Sequence, residues 1–274
     1  MRRPGVFLGG HPLRPRSAIP YDGAMTRTRA AWTCTFAALV ALGAAGCSDS
    51  STPAPEATTP AAAPSEAAPG VEAPDCLPEG STASLVGEGP EGTLVALVGA
   101  PPAEAELGVV LAPQSGGDWC QWAAQAERLT AAGYVVGTFT WGSDGSASVE
   151  AAVEQVRAAG VERVALVGAS KGGAFSVATA ADVDAATVIA LSPPAEFDGV
   201  SARAQDVTYA GPLLVVGVTD DSSVPVAESR EVARDDDTWL EVPGTTHGVG
   251  VFDTEEGATV WQAIDERLAA AAKG

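Results

Sequence analysis

The sequence predicts an α/β domain over residues 76–274, built on a mostly parallel, twisted sheet with helices on both faces. Three observations point there. Short apolar runs alternate with stretches of helical length and composition. Several of those runs are uninterrupted, such as Val164-Ala165-Leu166-Val167 and Leu213-Leu214-Val215-Val216, as in strands covered on both sides. One of them passes through Gly168-Ala169-Ser170-Lys171-Gly172-Gly173 straight into a helix-like segment. Alternation of this kind is satisfied by a parallel sheet between two helical layers.

In chain order, the expected strands are Thr93–Val98, Gly108–Ala112, Val135–Thr140, Arg163–Val167, Ala186–Leu191, Pro212–Val218 and Thr238–Val242. Each is rich in apolar or β-branched residues, and most are bounded by Gly, Pro or Asp. Between and after them, Trp122–Ala131, Ser148–Ala159, Gly172–Ala181, Pro225–Val232 and Ala258–Ala271 have the length and composition of helices. In open sheets of this type ligands bind beyond the carboxyl ends of the strands. The residues that follow each strand are therefore the functional candidates.

Ser170 follows Arg163–Val167 in a G-x-S-x-G pattern. Glycine on both sides permits a tight turn that holds the hydroxyl above the sheet in a strained conformation. A serine hydroxyl is a weak nucleophile and needs a base. Beyond the leader, which contains His11, His247 is the one histidine, in the loop Pro243-Gly244-Thr245-Thr246-His247-Gly248. An acid must orient the imidazole. Asp220 and Asp221 both follow Pro212–Val218, and either could serve, or could cap the helix that starts near Pro225.

An acyl-transfer site also needs two N–H groups aimed at the developing oxyanion. The N–H of Lys171, at a helix start, is the first candidate. Ser115 is the second, with Gln114 next, in the loop after Gly108–Ala112. The Lys171 side chain is expected in solvent. Trp119 and Trp122 read as core or rim packing, whereas Trp141, at the end of Val135–Thr140, is the candidate for substrate contact. Asp235-Asp236-Asp237 reads as a solvated turn, and no metal site is expected.

Together these residues resemble the α/β-hydrolase superfamily over roughly residues 84–274. The chain order Ser170, Asp221, His247 is that superfamily's order. Val224-Pro225 matches its pattern after the acid, which favours Asp221 over Asp220, and Gly244–Gly248 is similar to its histidine loop. The resemblance is strongest to small dienelactone-hydrolase-type or esterase members carried on exported lipoproteins. It implies hydrolysis of a small carboxylic ester through an acyl-enzyme, with no metal or organic cofactor, by a monomer. One departure is Pro113-Gln114, which stands where the family has His-Gly. That departure favours a second reading, an inactive hydrolase-shaped binding or envelope lipoprotein. Amide or peptide hydrolysis, a third reading, would use the same triad. The segment 192–211 is only 20 residues long, too short for a helical lid domain, so an open, shallow site is expected.

The first 46 residues read as a leader. Arg27 and Arg29 precede an uncharged run, Ala30–Gly46, that ends at Ala44-Ala45-Gly46-Cys47. This resembles a bacterial lipoprotein signal, with Cys47 as the acylated residue, Ala44 standing where Leu is usual, and Met25 as a compact alternative start to Met1. Residues 47–75 read as a disordered Pro/Ala/Ser/Thr tether. The expected location is the outer side of the cell membrane, held by a lipid anchor. Of the four cysteines, Cys34 falls in the signal and Cys47 is the lipid site. Cys76 and Cys120 remain, and in an exported domain a disulfide between them is expected, the alternative being two buried thiols. Residues 1–47 carry six Arg and one acid, leaving nine bases and 34 acids for residues 48–274, or −25. A surface so acidic repels polyanions, which excludes nucleic acid as a partner.

Overall fold

Every residue of Gly108–Ala112, Val164–Ala169 and Leu213–Val218 is buried, because these uninterrupted apolar runs are packed on both sides by helices. The computed structural model describes residues 71–87, 91–235 and 238–274. The leader, Cys34, Cys47, most of the tether and two residues of the Asp235–Asp237 run lie outside the described residues. In chain order the elements are β1 (Thr82–Val86), β2 (Thr93–Leu97), β3 (Gly108–Ala112), α1 (Ala123–Ala131), β4 (Val135–Thr140), α2 (Gly145–Ala158), β5 (Val164–Ala169), α3 (Lys171–Thr179) and β6 (Thr187–Leu191). There follow β7 (Glu196–Phe197), β8 (Val200–Ser201), β9 (Leu213–Val218), α4 (Val226–Arg230), β10 (Trp239–Val242), a 3-10 helix Gly248–Asp253, and α5 (Gly257–Lys273).

Eight strands form one sheet in the order β1-β2-β4-β3-β5-β6-β9-β10. From β4 to β10 all neighbours are parallel. At the other end β2 runs antiparallel to β4, and β1 antiparallel to β2. Successive side chains of a strand point to opposite faces, and the core divides accordingly. Val110 and Ala112 of β3 join the cluster under α2 and α3, with Val149, Val153, Val156, Ala174 and Val177. Val109 and Leu111 join the cluster under α1 and α5, with Ala126, Leu129, Val260, Ile264 and Leu268. Each fully buried Leu or Ile contributes about 1.5–3 kcal/mol relative to exposure.

The structure adds elements to those expected from the sequence. β1 was not expected, because Thr-Ala-Ser-Leu-Val at a sheet edge buries little and leaves Leu85 42% exposed. α2 begins at Gly145 rather than Ser148, because Asp144 caps it by accepting the Ala147 N–H at 3.0 Å. Between β6 and β9 the chain makes only the β7–β8 hairpin, with no helix inserted. The 3-10 helix after His247 was also not expected.

The parallel arrangement places six connections on one edge of the sheet. Along β4, β3, β5, β6, β9 and β10, the residues just past the carboxyl ends include Trp141, Gln114 and Ser115, Ser170, Ser192, Asp221, and His247 in that spatial order.

Candidate active site

Ser170 occupies the turn between β5 and α3 with φ 50° and ψ −121°. A β-substituted residue reaches this conformation only under strain, and the surroundings hold it there. The Ser170 N–H donates to Leu191 O at 2.8 Å, and Ser170 O accepts the Ala174 N–H at 3.0 Å. A side chain at Gly168 would run into the Gly172 carbonyl, and one at Gly172 into the carbonyls of Ala112 and Pro113. Both glycines are thus needed for the close approach of strand, turn and helix. Ser170 is 8% exposed.

Asp221 and His247 meet directly, with His247 Nδ1 2.7 Å from Asp221 Oδ2. Asp221 is buried, whereas Asp220 is exposed and its N–H donates to Gly244 O. The second carboxylate oxygen, Oδ1, accepts the N–H groups of Ser223 at 2.8 Å and Val224 at 3.1 Å. Burial pushes the Asp221 carboxyl up. The His247 ring, the two N–H groups and the Ser192 hydroxyl outweigh it and hold the carboxyl below the usual value. Facing a carboxylate, Nδ1 carries the ring proton, which leaves Nε2 as the acceptor.

Ser192 was missed in the sequence. It lies at the end of β6, 2% exposed, with φ 45°. Its N–H donates to Val216 O at 2.8 Å, its Oγ accepts the Gly248 N–H at 3.3 Å, and its hydroxyl favours the Asp221 carboxylate. It bridges the acid and histidine loops. Only the dipeptide Ser192-Pro193, directly after a strand, could have signalled it.

The histidine loop also abuts the serine turn. Gly248, next to His247, packs against Ala169, next to Ser170: a Cβ on Gly248 would lie 3.2 Å from Ala169 Cβ. Among the described residues Ser170 Oγ makes no hydrogen bond, including to the His247 ring. The structure therefore joins His247 to Asp221 and sets Ser170 beside that pair without a direct link.

The loop after β3 turns tightly, with the Gly117 N–H donating to Gln114 O at 3.0 Å. The N–H of Gln114 is taken by Gln121 Oε1 at 2.7 Å. The N–H groups of Ser115 and Lys171 make no hydrogen bond among the described residues, and Ser115 is exposed.

The Lys171 side chain is not in open solvent as expected. It is half-buried, with Nζ 4.3 Å from the Trp141 ring centroid, 5.5 Å from that of Phe175 and 5.7 Å from that of Phe197. Burial lowers its pKa and Asp198 opposes this. Trp141 therefore has its ring face against Lys171, and its Nε1–H donates to Gln114 O at 3.4 Å. Trp122 is fully buried, with its Nε1–H donating to Ala112 O at 3.1 Å, and Trp119 packs at the rim of the same core. Cys76 and Cys120 form a disulfide. Among the described residues, no three His, Cys, Asp or Glu side chains are grouped to hold a metal ion.

No family model and no curated protein matches the sequence. Solved structures do. The chain is similar to the esterase Pf2001 from Pyrococcus furiosus, with a TM-score of 0.55 and 13% identity over 70% of this chain and 91% of that one. A candidate dienelactone hydrolase from Klebsiella pneumoniae gives 0.54 and 14% over 69% and 98%. Est1E from Butyrivibrio proteoclasticus gives 0.51 and 18% over 68% and 99%. With its strand order and its single antiparallel β2, the chain has the α/β-hydrolase fold.

Proposed function

We propose that this chain is a serine hydrolase that cleaves carboxylic esters through an acyl-enzyme. The observation that carries the reading is the Asp221–His247 pair at 2.7 Å, on the same sheet edge as a serine held at φ 50°. The esterase description of the Pyrococcus furiosus neighbour and the candidate dienelactone hydrolase support ester chemistry on this fold. Ser170 Oγ attacks the acyl carbon as His247 Nε2 takes its proton, and Asp221 stabilises the imidazolium. The tetrahedral oxyanion is held by the N–H groups of Lys171 and Ser115. Collapse expels the alcohol, which takes the proton from His247. Water, activated by the same base, then frees the acid. The short β7–β8 connection supports a site without a lid, suited to small esters.

The reading extends to an exported domain, tethered outside the membrane by a diacylated Cys47 and acting as a monomer on small-molecule esters. The leader pattern and the disulfide support this. Metabolic labelling with palmitate, lost in Cys47→Ser, tests the anchor.

The catalytic reading is tested with a fluorophosphonate probe and p-nitrophenyl acetate. Wild type is expected to label and turn over, and Ser170→Ala to do neither. Labelling of Ser170→Ala would overturn the nucleophile. A wild type that neither labels nor turns over would favour the hydrolase-shaped binding protein. The missing Ser170–His247 hydrogen bond is the observation on that side. Turnover of amide substrates alone would move the activity to amide hydrolysis.

A further inference from the structure

Gln114 stands where the resembling family has glycine, and its side chain does not point idly into the site. Its Oε1 accepts the Val249 N–H at 2.8 Å, two residues beyond His247. Room for it exists because residue 248 is glycine: a Cβ there would strike Gln114 Oε1 and lie 2.8 Å from its carboxamide carbon. Gly248 also has φ 56° and donates its N–H to Ser192 Oγ at 3.3 Å. The backbone of Gln114 is held at both ends. Its N–H donates to Gln121 Oε1 at 2.7 Å. Its carbonyl accepts the Gly117 N–H at 3.0 Å and Trp141 Nε1–H at 3.4 Å.

These bonds have two consequences for catalysis. The Gln114 N–H is already used, so it cannot serve the oxyanion. The peptide joining Gln114 to Ser115 is planar and trans, with its carbonyl and N–H pointing in opposite directions. Fixing the Gln114 carbonyl against Gly117 and Trp141 therefore fixes where the Ser115 N–H points, and that N–H is unengaged among the described residues.

We propose that Gln114 is a positioning residue, whose carboxamide ties the loop carrying the Ser115 N–H to the segment following His247 so that the two are set as one unit. This rests on the serine-hydrolase reading. The Pro113-Gln114 departure is then a substitute brace and not a loss of function. Glycine at 114 would leave the two loops to be placed independently. Loss of a whole oxyanion donor costs about 10²–10³-fold in kcat, and loosening one costs a fraction of that.

The test uses the purified protein with p-nitrophenyl acetate and a fluorophosphonate, comparing wild type, Gln114→Met and Gln114→Glu. Met fills the same space without an acceptor, whereas Glu keeps an acceptor oxygen for Val249. Gln114→Met is expected to lower kcat about 10- to 100-fold, with KM within a few-fold. It should slow labelling of Ser170 in parallel and shift the melting temperature by only a few degrees. Gln114→Glu is expected to recover most of the kcat. If Gln114→Met does not fold, Gln114→Ala makes the same comparison. Full kcat in the acceptor-free variant, from a wild type that labels at Ser170, overturns the brace alone. So does a Gln114→Glu as slow as Gln114→Met. A wild type that neither labels nor turns over overturns the hydrolase reading and the brace together.

Discussion

Asp221 holds His247 with one carboxylate oxygen, at 2.7 Å, and closes its own loop with the other, through the N–H groups of Ser223 and Val224. The acid is thus locked by the backbone it caps, and the imidazole inherits that rigidity. Removing the charge while keeping the shape separates orientation from packing. Asp221→Asn is expected to lower kcat about 10⁴-fold, while Asp220→Asn, altered at an exposed side chain, stays near wild type. Steady-state rates on a short ester, with melting temperatures for both variants, check this. Equal losses in the two variants would reassign the acid.

The same carboxylate sets a pH dependence of stability. Its pKa in the fold lies below the ordinary value, so the unfolded chain binds the proton more readily. The stabilisation is fully present above the unfolded pKa, about 4, and fades as pH falls through the folded one. In urea unfolding, the gap between wild type and Asp221→Asn is expected to be flat from about pH 5 upward and to shrink below it. A gap that widens in acid would refute the assignment.

Ser192 tolerates φ 45°, a region where glycine is more at ease. Ser192→Gly therefore removes strain and the hydroxyl together, and Ser192→Ala removes only the hydroxyl. Ala is expected to destabilise by about 1–3 kcal/mol, because the buried Gly248 N–H loses its acceptor. Gly is expected to recover part of that stability but none of the lost rate. Guanidinium unfolding read beside kcat distinguishes the two effects, and a Ser192→Gly with wild-type kcat would remove Ser192 from the bridge.

The Cys76–Cys120 disulfide closes a loop with a sequence separation of 44. Replacing both cysteines by serine is expected to cost about 2–4 kcal/mol of unfolding free energy. Reductant should lower the melting point of wild type toward that of the double variant and leave the variant unmoved. A reductant-insensitive wild type would contradict a formed bridge.

The central sheet was legible because uninterrupted runs such as Leu213–Val218 have few other ways to be buried. Ser170, Asp221 and His247 stood out because Gly168 and Gly172 frame the serine and His247 has no rival outside the leader. β1 was illegible because an edge strand needs little apolar character. Ser192, and the side-chain contact of Gln114, which the sequence offered only as a second-choice oxyanion donor, escaped for a different reason. Each acts through a hydrogen bond across the fold, to Gly248 and to Val249, and nothing in the local sequence encodes a partner 56 or 135 positions away. Lys171 was placed in solvent because only Phe175, of its three aromatic neighbours, lies on its own helix, while Trp141 and Phe197 come from separate connections.

His247 hangs from the outermost strand. β10 has four residues, pairs with β9 alone and is mostly half-exposed, whereas Ser170 leaves a strand flanked on both sides. Sheet margins open at lower free energy than sheet centres. In gentle denaturant His247 is therefore expected to be the first of Ser170, Asp221 and His247 to drift, and under the proposed function turnover should fail while circular dichroism still reports an intact domain. Thermal inactivation of such a protein measures fraying at one margin before it measures melting.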